Sequence, residues 1–522
     1  LKKYLLQELV ELIIVGLPKN WDESDTHGTP LAEAAIRKIR KAFPEIQVVL
    51  ITRSSRGDQL SGIPLHTVEG QDFFTQDIFD ALSTHEADIA VHSLKDMSST
   101  HFFGEHLFAV VDRDDIRDLA IFNPGVPDKI SRGETIIIGT CSPRREEMAT
   151  VFLKKALPQL SNSIQIETRP IRGNVETRLR KLDSGEYDAT ILATAGLNRL
   201  LRSEMDAPLI AQLLTDKKLM LLPLIECVPA PCQGAIVAEA HPSNHRAADI
   251  LKAINIPALL QEAIAEKRTA VQYGTGCMQQ FGVTSIKTKQ GSSLFASGKD
   301  EQGTAFSNWQ PWPALSIAPD HIFSTTDRMR DFFNYEWRAA LPEINLPVVF
   351  IANYKLMAGV INKESLLNKT ILVSGTKTWF ELARQGYWVT AGADALGFEY
   401  LLPSLSMPLF KIEAKDILIL THEAAAHRWQ KKGYAAAFTY KLIPVFNPSL
   451  SEEIAGARAI CWSSYAQYAA YGHLAQPGII HICAGGETAS QLKQAGIDPV
   501  IFPTIKAFEQ WRKLNTPSPN AA

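Results

Sequence analysis

Cysteine is scarce in this chain: six in 522 residues, with no CxxC pair and no regular spacing. That excludes a disulfide framework and a cysteine-based metal centre, and points to reduced thiols in a cytoplasmic protein. No metal-ligand spacing of any other kind is evident. Neither sign of charge dominates. A net charge of −3 gives no reason to expect nucleic acid or an anionic membrane as partner, so any cationic site must be local. No apolar run is long enough to span a membrane. The mildly apolar start, residues 4–17, is broken by Glu8 and Glu11 and followed by Pro18, too interrupted for a signal peptide. Repeats of short period are missing, and low complexity is confined to the tail at 516–522. What remains is a globular composition, 46% hydrophobic and 21% charged, in a chain too long for one core. Three or four domains are expected.

Short apolar runs alternate with helical patterns. Strands are predicted at 48–52, 88–92, 107–111, 135–139, 164–168 and 188–193, and helices at 73–82, 144–157, 175–182 and 247–272. Buried strands interleaved with helices argue for α/β domains with mostly parallel sheets. Ligands in such folds sit at the carboxyl ends of strands. The segment 223–231 is proline-rich and reads as a crossover or hinge, and residues 282–315 alternate like strands. The pattern changes near 341, with Pro342 and Pro347 marking a linker. Strands at 370–374, 416–421, 459–463 and 479–483 then suggest a separate α/β module.

Several segments carry chemistry. Ser142 is a good N-cap and Pro143 suits the first helical position, so Arg144 and Arg145 fall in the first turn. Cations are disfavoured there unless an anion is bound. The alternative is a solvated pair with Glu146 and Glu147 as partners. Arg172, Arg178 and Arg199 also stand at element ends, with Asn174 as a second N-cap. Guanidinium forks suit carboxylates, so together these arginines make a polycarboxylate cradle. Against that, each could pair with a nearby acid such as Glu176 or Asp183. Lys95 and Asp96 follow a predicted strand. Asp96 either caps a turn or stabilises developing positive charge and moves protons. Cys277, flanked by Gly274 and Gly276, is either a small core residue or a thiolate nucleophile. The other cysteines read as structural.

The order of 91–96 (VHSLKD), 139–145 (GTCSPRR), 172–178 (RGNVETR) and 273–277 (YGTGC) resembles the hydroxymethylbilane synthase (porphobilinogen deaminase) family. Arg56-Gly57-Asp58, residues 185–189 and residues 229–234 fit the same order. The resemblance covers 45–285 well and 286–340 loosely. It implies two lobes like those of periplasmic binding proteins and a small α/β domain bearing the cysteine. The expected division is 1–104 with 204–240 as lobe 1, 105–203 as lobe 2, 241–340 as the cysteine domain and 341–522 as a C-terminal α/β module. It further implies a covalent dipyrromethane cofactor, held by Cys277 as a thioether and extended by four porphobilinogens with loss of ammonia. Carried over, Asp96 is catalytic, facing pyrrole nitrogens and an azafulvenium-like intermediate. Lys95, Thr140, Ser142, Arg144 and Arg145 bind cofactor, and Arg172, Arg178 and Arg199 bind substrate. A monomer acting on the small molecule porphobilinogen is expected. The chain departs from the family where a Thr-Arg-x-Ser signature is expected near 26–30, at Thr67 and Gln71 where lysines are usual, at Gln280 for proline and at Cys232 for glycine. Slower turnover or altered substrate handling would follow.

The last 180 residues resemble uroporphyrinogen-III synthase, through residues 416–421, 440–444, 462–464 and 484–489. That family has two α/β domains and a longer chain. Tyr440, Ser463 and Thr488 are the candidate site residues there, and the alternative is an appendage without chemistry. For the whole chain, the competing class is a non-catalytic binder or sensor of small carboxylates, which would need neither Cys277 nor Asp96.

Overall fold

The computed structural model describes residues 10–17, 30–54, 81–84, 86–161, 163–274, 279–338, 342–358, 363–366 and 368–516. The chain forms two compact units. The first is built from 1–155, 159–285 and 295–308, and the second from 156–158, 286–294 and 309–522.

In the first unit the chain lays down β1 (Val10–Leu17), β2 (Gln47–Ser54), β3 (Ile89–Ser93) and β4 (Leu107–Arg113). It then crosses to β5 (Asp118–Phe122), β6 (Ile136–Gly139), β7 (Ile166–Arg169), β8 (Ala189–Ala193) and β9 (Lys218–Leu221), and returns as β10 (Ala235–Ala240). Two sheets result, in the orders β2-β1-β3-β10-β4 and β9-β5-β8-β6-β7. Strands β1, β2 and β3 are parallel, as are β6, β7 and β8. The returning strand β10 runs antiparallel to β3 and β4, and β5 runs antiparallel to β8 and β9. This mixed α/β architecture has the two expected lobes, but their borders differ from the expected 104/105 and 203/204. Strand β4, placed in lobe 2 by sequence, pairs with β10 in the first sheet. Strand β9, placed in lobe 1, pairs with β5 in the second. The crossings therefore lie at 114–117 and 222–234.

These two crossings are laced together. Asp114 N donates to Gly234 O at 3.0 Å, and Gln233 Nε2 donates to Ile116 O at 2.7 Å. Gly234 has φ +83°, and a Cβ there would stand 2.6 Å from Asp114 O, so only glycine allows the approach. Cys232 adopts φ +63° in the same turn, in the left-handed region that favours glycine.

The helix expected at 247–272 is two helices, His245–Ile254 and Pro257–Val271. Pro257 forces Ile256 to an extended conformation and opens the second helix at its first turn. The mildly apolar start, to which no element is assigned from sequence, supplies β1. Of the helix expected at 73–82, only 81–82 lie among the described residues. Residues 280–310 form a three-stranded sheet of β11 (Gln280–Thr288), β12 (Gly291–Lys299) and β13 (Ala305–Gln310).

The second unit holds β14 (Ile322–Ser324), β15 (Phe333–Trp337), β16 (Val348–Ile351), β17 (Thr370–Val373), β18 (Val389–Gly392), β19 (Ile417–His422), β20 (Ala436–Pro444), β21 (Ala459–Trp462), β22 (Ile480–Ala484) and β23 (Val500–Phe502). One sheet runs β15-β20-β19-β16-β17-β18 and another β14-β21-β22-β23. Strands β14 and β15 pair with β21 and β20, so residues 309–338, expected with 241–340, belong to the second unit.

Candidate functional site

A cleft of about 320 Å³ opens in the first unit. Its walls come from the turn after β3, the start of the helix after β6, the helix Val175–Asp183, the crossing at 230–233 with the helix Pro257–Val271, and the start of β11.

Beyond β3 the chain makes a single 3-10 turn, Leu94–Asp96. Leu94 is fully buried and anchors the turn, which leaves Lys95 half-buried and Asp96 exposed on the cleft wall. Lys267, from the long helix, donates to Met97 O and braces the turn from below. The lysine was not foreseen. Its helix has no strong apolar stripe that would have marked position 267 as buried.

Beyond β6, Ser142 Oγ accepts from Arg145 N at 3.4 Å and Pro143 opens the helix Pro143–Ala156, as its sequence implies. Arg144 and Arg145 are nevertheless buried, at 5% and 9% exposure, and Glu146 and Glu147 are not their partners. Glu146 accepts from Thr168, and Glu147 pairs with Lys299. Both arginines instead share Asp118, the first residue of β5. Arg145 Nη2 lies 2.8 Å from Oδ1 and Arg144 Nη2 lies 2.8 Å from Oδ2. Arg144 Nη1 also donates to Val228 O at 2.6 Å, and Gln233 Nε2 donates to Asp118 Oδ1 at 3.0 Å. Asp118 was missed. The available signal was an acid directly abutting the apolar run Leu119–Phe122, where a charge drawn into the strand must be paired.

Asn174 caps the helix Val175–Asp183 by accepting from Thr177 N at 2.8 Å, as expected. Arg178 then reaches the cleft, with Nε donating to Gly173 O at 2.8 Å. Among the described residues, neither Arg172 nor Arg178 meets a carboxylate. The acids proposed for them are engaged elsewhere: Glu176 with Arg180 and Asp183 with Lys217. Burial depresses the Arg178 guanidinium, and neighbouring Arg145 adds to it. Asp96 beside Lys95 favours its ammonium, but burial together with Arg145 and Arg178 outweighs that and lowers its titration. Five cations (Lys95, Arg144, Arg145, Arg178 and Lys267) thus face Asp96 in the wall and Asp118 behind it. An anionic ligand would relieve their mutual repulsion.

The remaining expected site residues are dispersed. Thr140 is buried, and its Oγ1 accepts from Ser142 N at 3.2 Å, so it shapes the turn rather than lining the cleft. Arg172 is half-buried and outside the lining. Arg199 donates to Gly234 O at the crossing and also lies outside the lining. Cys277 lies outside the described residues. Just beyond it, Gln279 lines the cleft and donates to Gly274 O at 3.3 Å. Of the described cysteines, Cys141 lines the cleft and donates to Ile171 O at 3.1 Å. Cys232 is wholly buried, and burial together with Glu266 pushes its thiol up to about 12. In the second unit Tyr440 is buried against Tyr335, Trp337 and His422, and Ser463 Oγ donates to Gln467 at 2.7 Å. Thr488 stands half-buried in the first turn of the helix Glu487–Gln494.

A cationic cleft fits a ligand with several carboxylates. Residues 25–249 match the family model described as porphobilinogen deaminase, dipyrromethane cofactor binding domain. The porphobilinogen deaminase of Streptococcus sanguinis is 32% identical over 270 residues, 51% of this chain and 81% of that protein. The probable porphobilinogen deaminase of Pyrobaculum islandicum is 31% identical over 286 residues, 54% of this chain and 88% of that protein. Among solved structures, a probable amino-acid ABC transporter extracellular-binding protein from Bacillus subtilis is similar over 50% of this chain and 96% of its own, at 17% identity and a TM-score of 0.26. On the identity and coverage of these sequence relatives, the chain belongs to the porphobilinogen deaminase family.

Proposed function

We propose that this protein condenses four porphobilinogens into hydroxymethylbilane, releasing one ammonia per unit, on a dipyrromethane held by Cys277. The observation that carries the reading is the meeting of Lys95, Asp96, Arg144, Arg145 and Arg178 on one cleft, with no carboxylate on Arg178 among the described residues. When bound, the dipyrromethane supplies a free pyrrole α-carbon for the first condensation. The protein's own part is to hold charge. Arg178 and Lys95 take acetate and propionate groups in charge-assisted pairs. Arg145, fixed by Asp118, adds its positive charge to the cleft wall. Asp96 is the one acid in the wall among the described residues. It stabilises positive charge as ammonia leaves and accepts pyrrole N–H groups, which keeps the reacting carbons in register.

Incubation with porphobilinogen tests this. Ammonia and tetrapyrrole in a four-to-one ratio are expected. Tight porphobilinogen binding without ammonia release would instead mark a binder. The altered lid positions Thr67 and Gln71 lie outside the described residues, and slower turnover than in relatives with lysines there fits the same reading.

For the second unit we infer uroporphyrinogen-III synthase chemistry acting on the first unit's product. What favours it is the presence of two α/β sheets in 309–522, as that family's two domains require. A linear tetrapyrrole closes spontaneously to the wrong isomer, so a tethered second site would capture it early. Full-length protein should then form some type III uroporphyrinogen from porphobilinogen, and Tyr440→Phe should lower the type III share. Type I product alone from the full chain would reduce the second unit to an appendage.

A further inference from the structure

Away from the cleft, three histidines converge on one buried carboxylate. His92 lies on β3, His101 in the short helix Ser99–Phe102, His106 just before β4, and Glu239 on β10. Because β10 is antiparallel to both β3 and β4, it sits between them and brings Glu239 opposite Ala90 and Phe108. The His101 Nε2 and His106 Nδ1 atoms stand 2.6 Å and 2.5 Å from the same oxygen, Oε1. His92 Nε2 stands 2.9 Å from the other, Oε2. Glu239 is 1% exposed, and His92 and His106 are buried with it. The sequence holds no ligand motif here, since the four residues span 92–239. Only the strand order assembles them.

We propose that His101, His106 and Glu239 form a binding site for a divalent transition metal, with Zn2+ the best match to its donors. Two imidazole nitrogens and one carboxylate oxygen are a common donor set for a first-row ion, with a further position left for water. The three ligand atoms lie within 4.8 Å of one another. In a tetrahedral site with metal–ligand distances of about 2.0–2.1 Å, ligand atoms stand roughly 3.3 Å apart. Opening the present contacts by under about 1 Å reaches that spacing, within the range of small side-chain rotations. His92 takes the outer role: its Nε2–H donates to Oε2 and aims Oε1 at the ion, as partners of metal-bound carboxylates do. His241, with its ring 5.4 Å from that of His106, flanks the same side.

The place of the site gives it a consequence. Ser98 and Ser99, which line the cleft, precede His101, and Ser98 Oγ accepts from His101 N at 3.0 Å. His92 is three residues before Lys95. A metal there would tie the segment carrying Lys95 and Asp96 to β10 and stiffen the cleft wall.

The test uses the full chain, stripped with a chelator and titrated with Co2+ and then Zn2+. One equivalent of Co2+ per chain is expected, with visible absorption of nitrogen and oxygen ligation and no sulfur charge-transfer band. Zn2+ should displace it and raise the unfolding temperature. Loss of even an outer partner typically weakens metal binding about 10–100-fold, so His101→Gln and His106→Gln should each weaken it by at least about 10-fold. His473→Gln, at an exposed position, should leave it unchanged. Should one of the two variants misfold, the other and the wild-type spectrum still decide. Binding below one equivalent in the wild type, sulfur ligation, or equal affinity in wild type and a folded ligand variant would overturn the proposal.

Discussion

Asp118 Oδ1 accepts a hydrogen bond from Arg145 Nη2 at 2.8 Å, and the same carboxylate meets Arg144 through its other oxygen. One acid at the mouth of β5 therefore positions both arginines that open the helix after β6. Burial alone would raise the Asp118 carboxyl. The two guanidinium groups outweigh it and hold the carboxyl well below the usual range. Depressed in the folded state, the group contributes stability that is present above its unfolded value of about 3.9 and is lost as pH falls below that. Breaking a buried pair from one side typically costs about 3–5 kcal/mol. Asp118→Asn should lower stability at neutral pH by that order, measured by urea unfolding, and should flatten the acid-side loss. An unchanged midpoint would mean that the arginines do not depend on it.

Arg145 and Arg178 should separate binding from folding. Arg178 has no carboxylate partner among the described residues, so Arg178→Ala should change stability by no more than about 0.5 kcal/mol. Its loss should weaken substrate or cofactor binding by about 2–5 kcal/mol. Arg145→Ala should impair binding and also destabilise, because it leaves Asp118 short of a partner. Comparing unfolding curves with porphobilinogen kinetics distinguishes them. Equal destabilisation in both, with normal turnover, would make them structural arginines.

Asp96 is exposed on the cleft wall, so its replacement should spare the fold. Asp96→Asn keeps the shape and removes the charge. A loss in condensation rate of about 100-fold or more is expected, with melting temperature unchanged. Turnover near the wild-type rate would remove Asp96 from the chemistry.

The sequence was most legible where local rules act alone. Ser142 with Pro143, and Asn174, announce helix starts by capping chemistry, and both starts are where the residues put them. The segments around Lys95 and Arg144 follow strand ends and Arg178 stands one turn into a helix, and the order of these motifs is what relates them in the sequence. Partners distant in sequence were not readable. Asp118 reaches Arg145 across 27 residues, and Glu239 reaches His106 across 133. No periodicity encodes such pairs, since strand order creates them. Lobe borders failed for the same reason: β4 and β9 look alike as apolar runs, and only their pairing assigns them to a sheet. Pro257 was a legible break overlooked inside a long helical pattern.

Cys232 offers a control on cofactor attachment. Its thiol is buried, held up at about 12, and donates toward Ala263 O at 3.7 Å. A protonated, inaccessible thiol is a poor nucleophile. Cys232→Ala should therefore retain the full pyrrole adduct, and alkylation of the native protein should spare this residue. Rapid native-state labelling at Cys232 would contradict that.

Intact mass of the purified protein is the most direct test of dipyrromethane attachment. Wild type should carry a covalent dipyrrole that reacts with Ehrlich reagent and maps to the peptide containing Cys277. Cys277→Ser should fold and carry none. An adduct that survives Cys277→Ser, or maps to Cys141, would contradict the assignment, and a wild-type protein that never acquires a dipyrrole would contradict the proposed function itself.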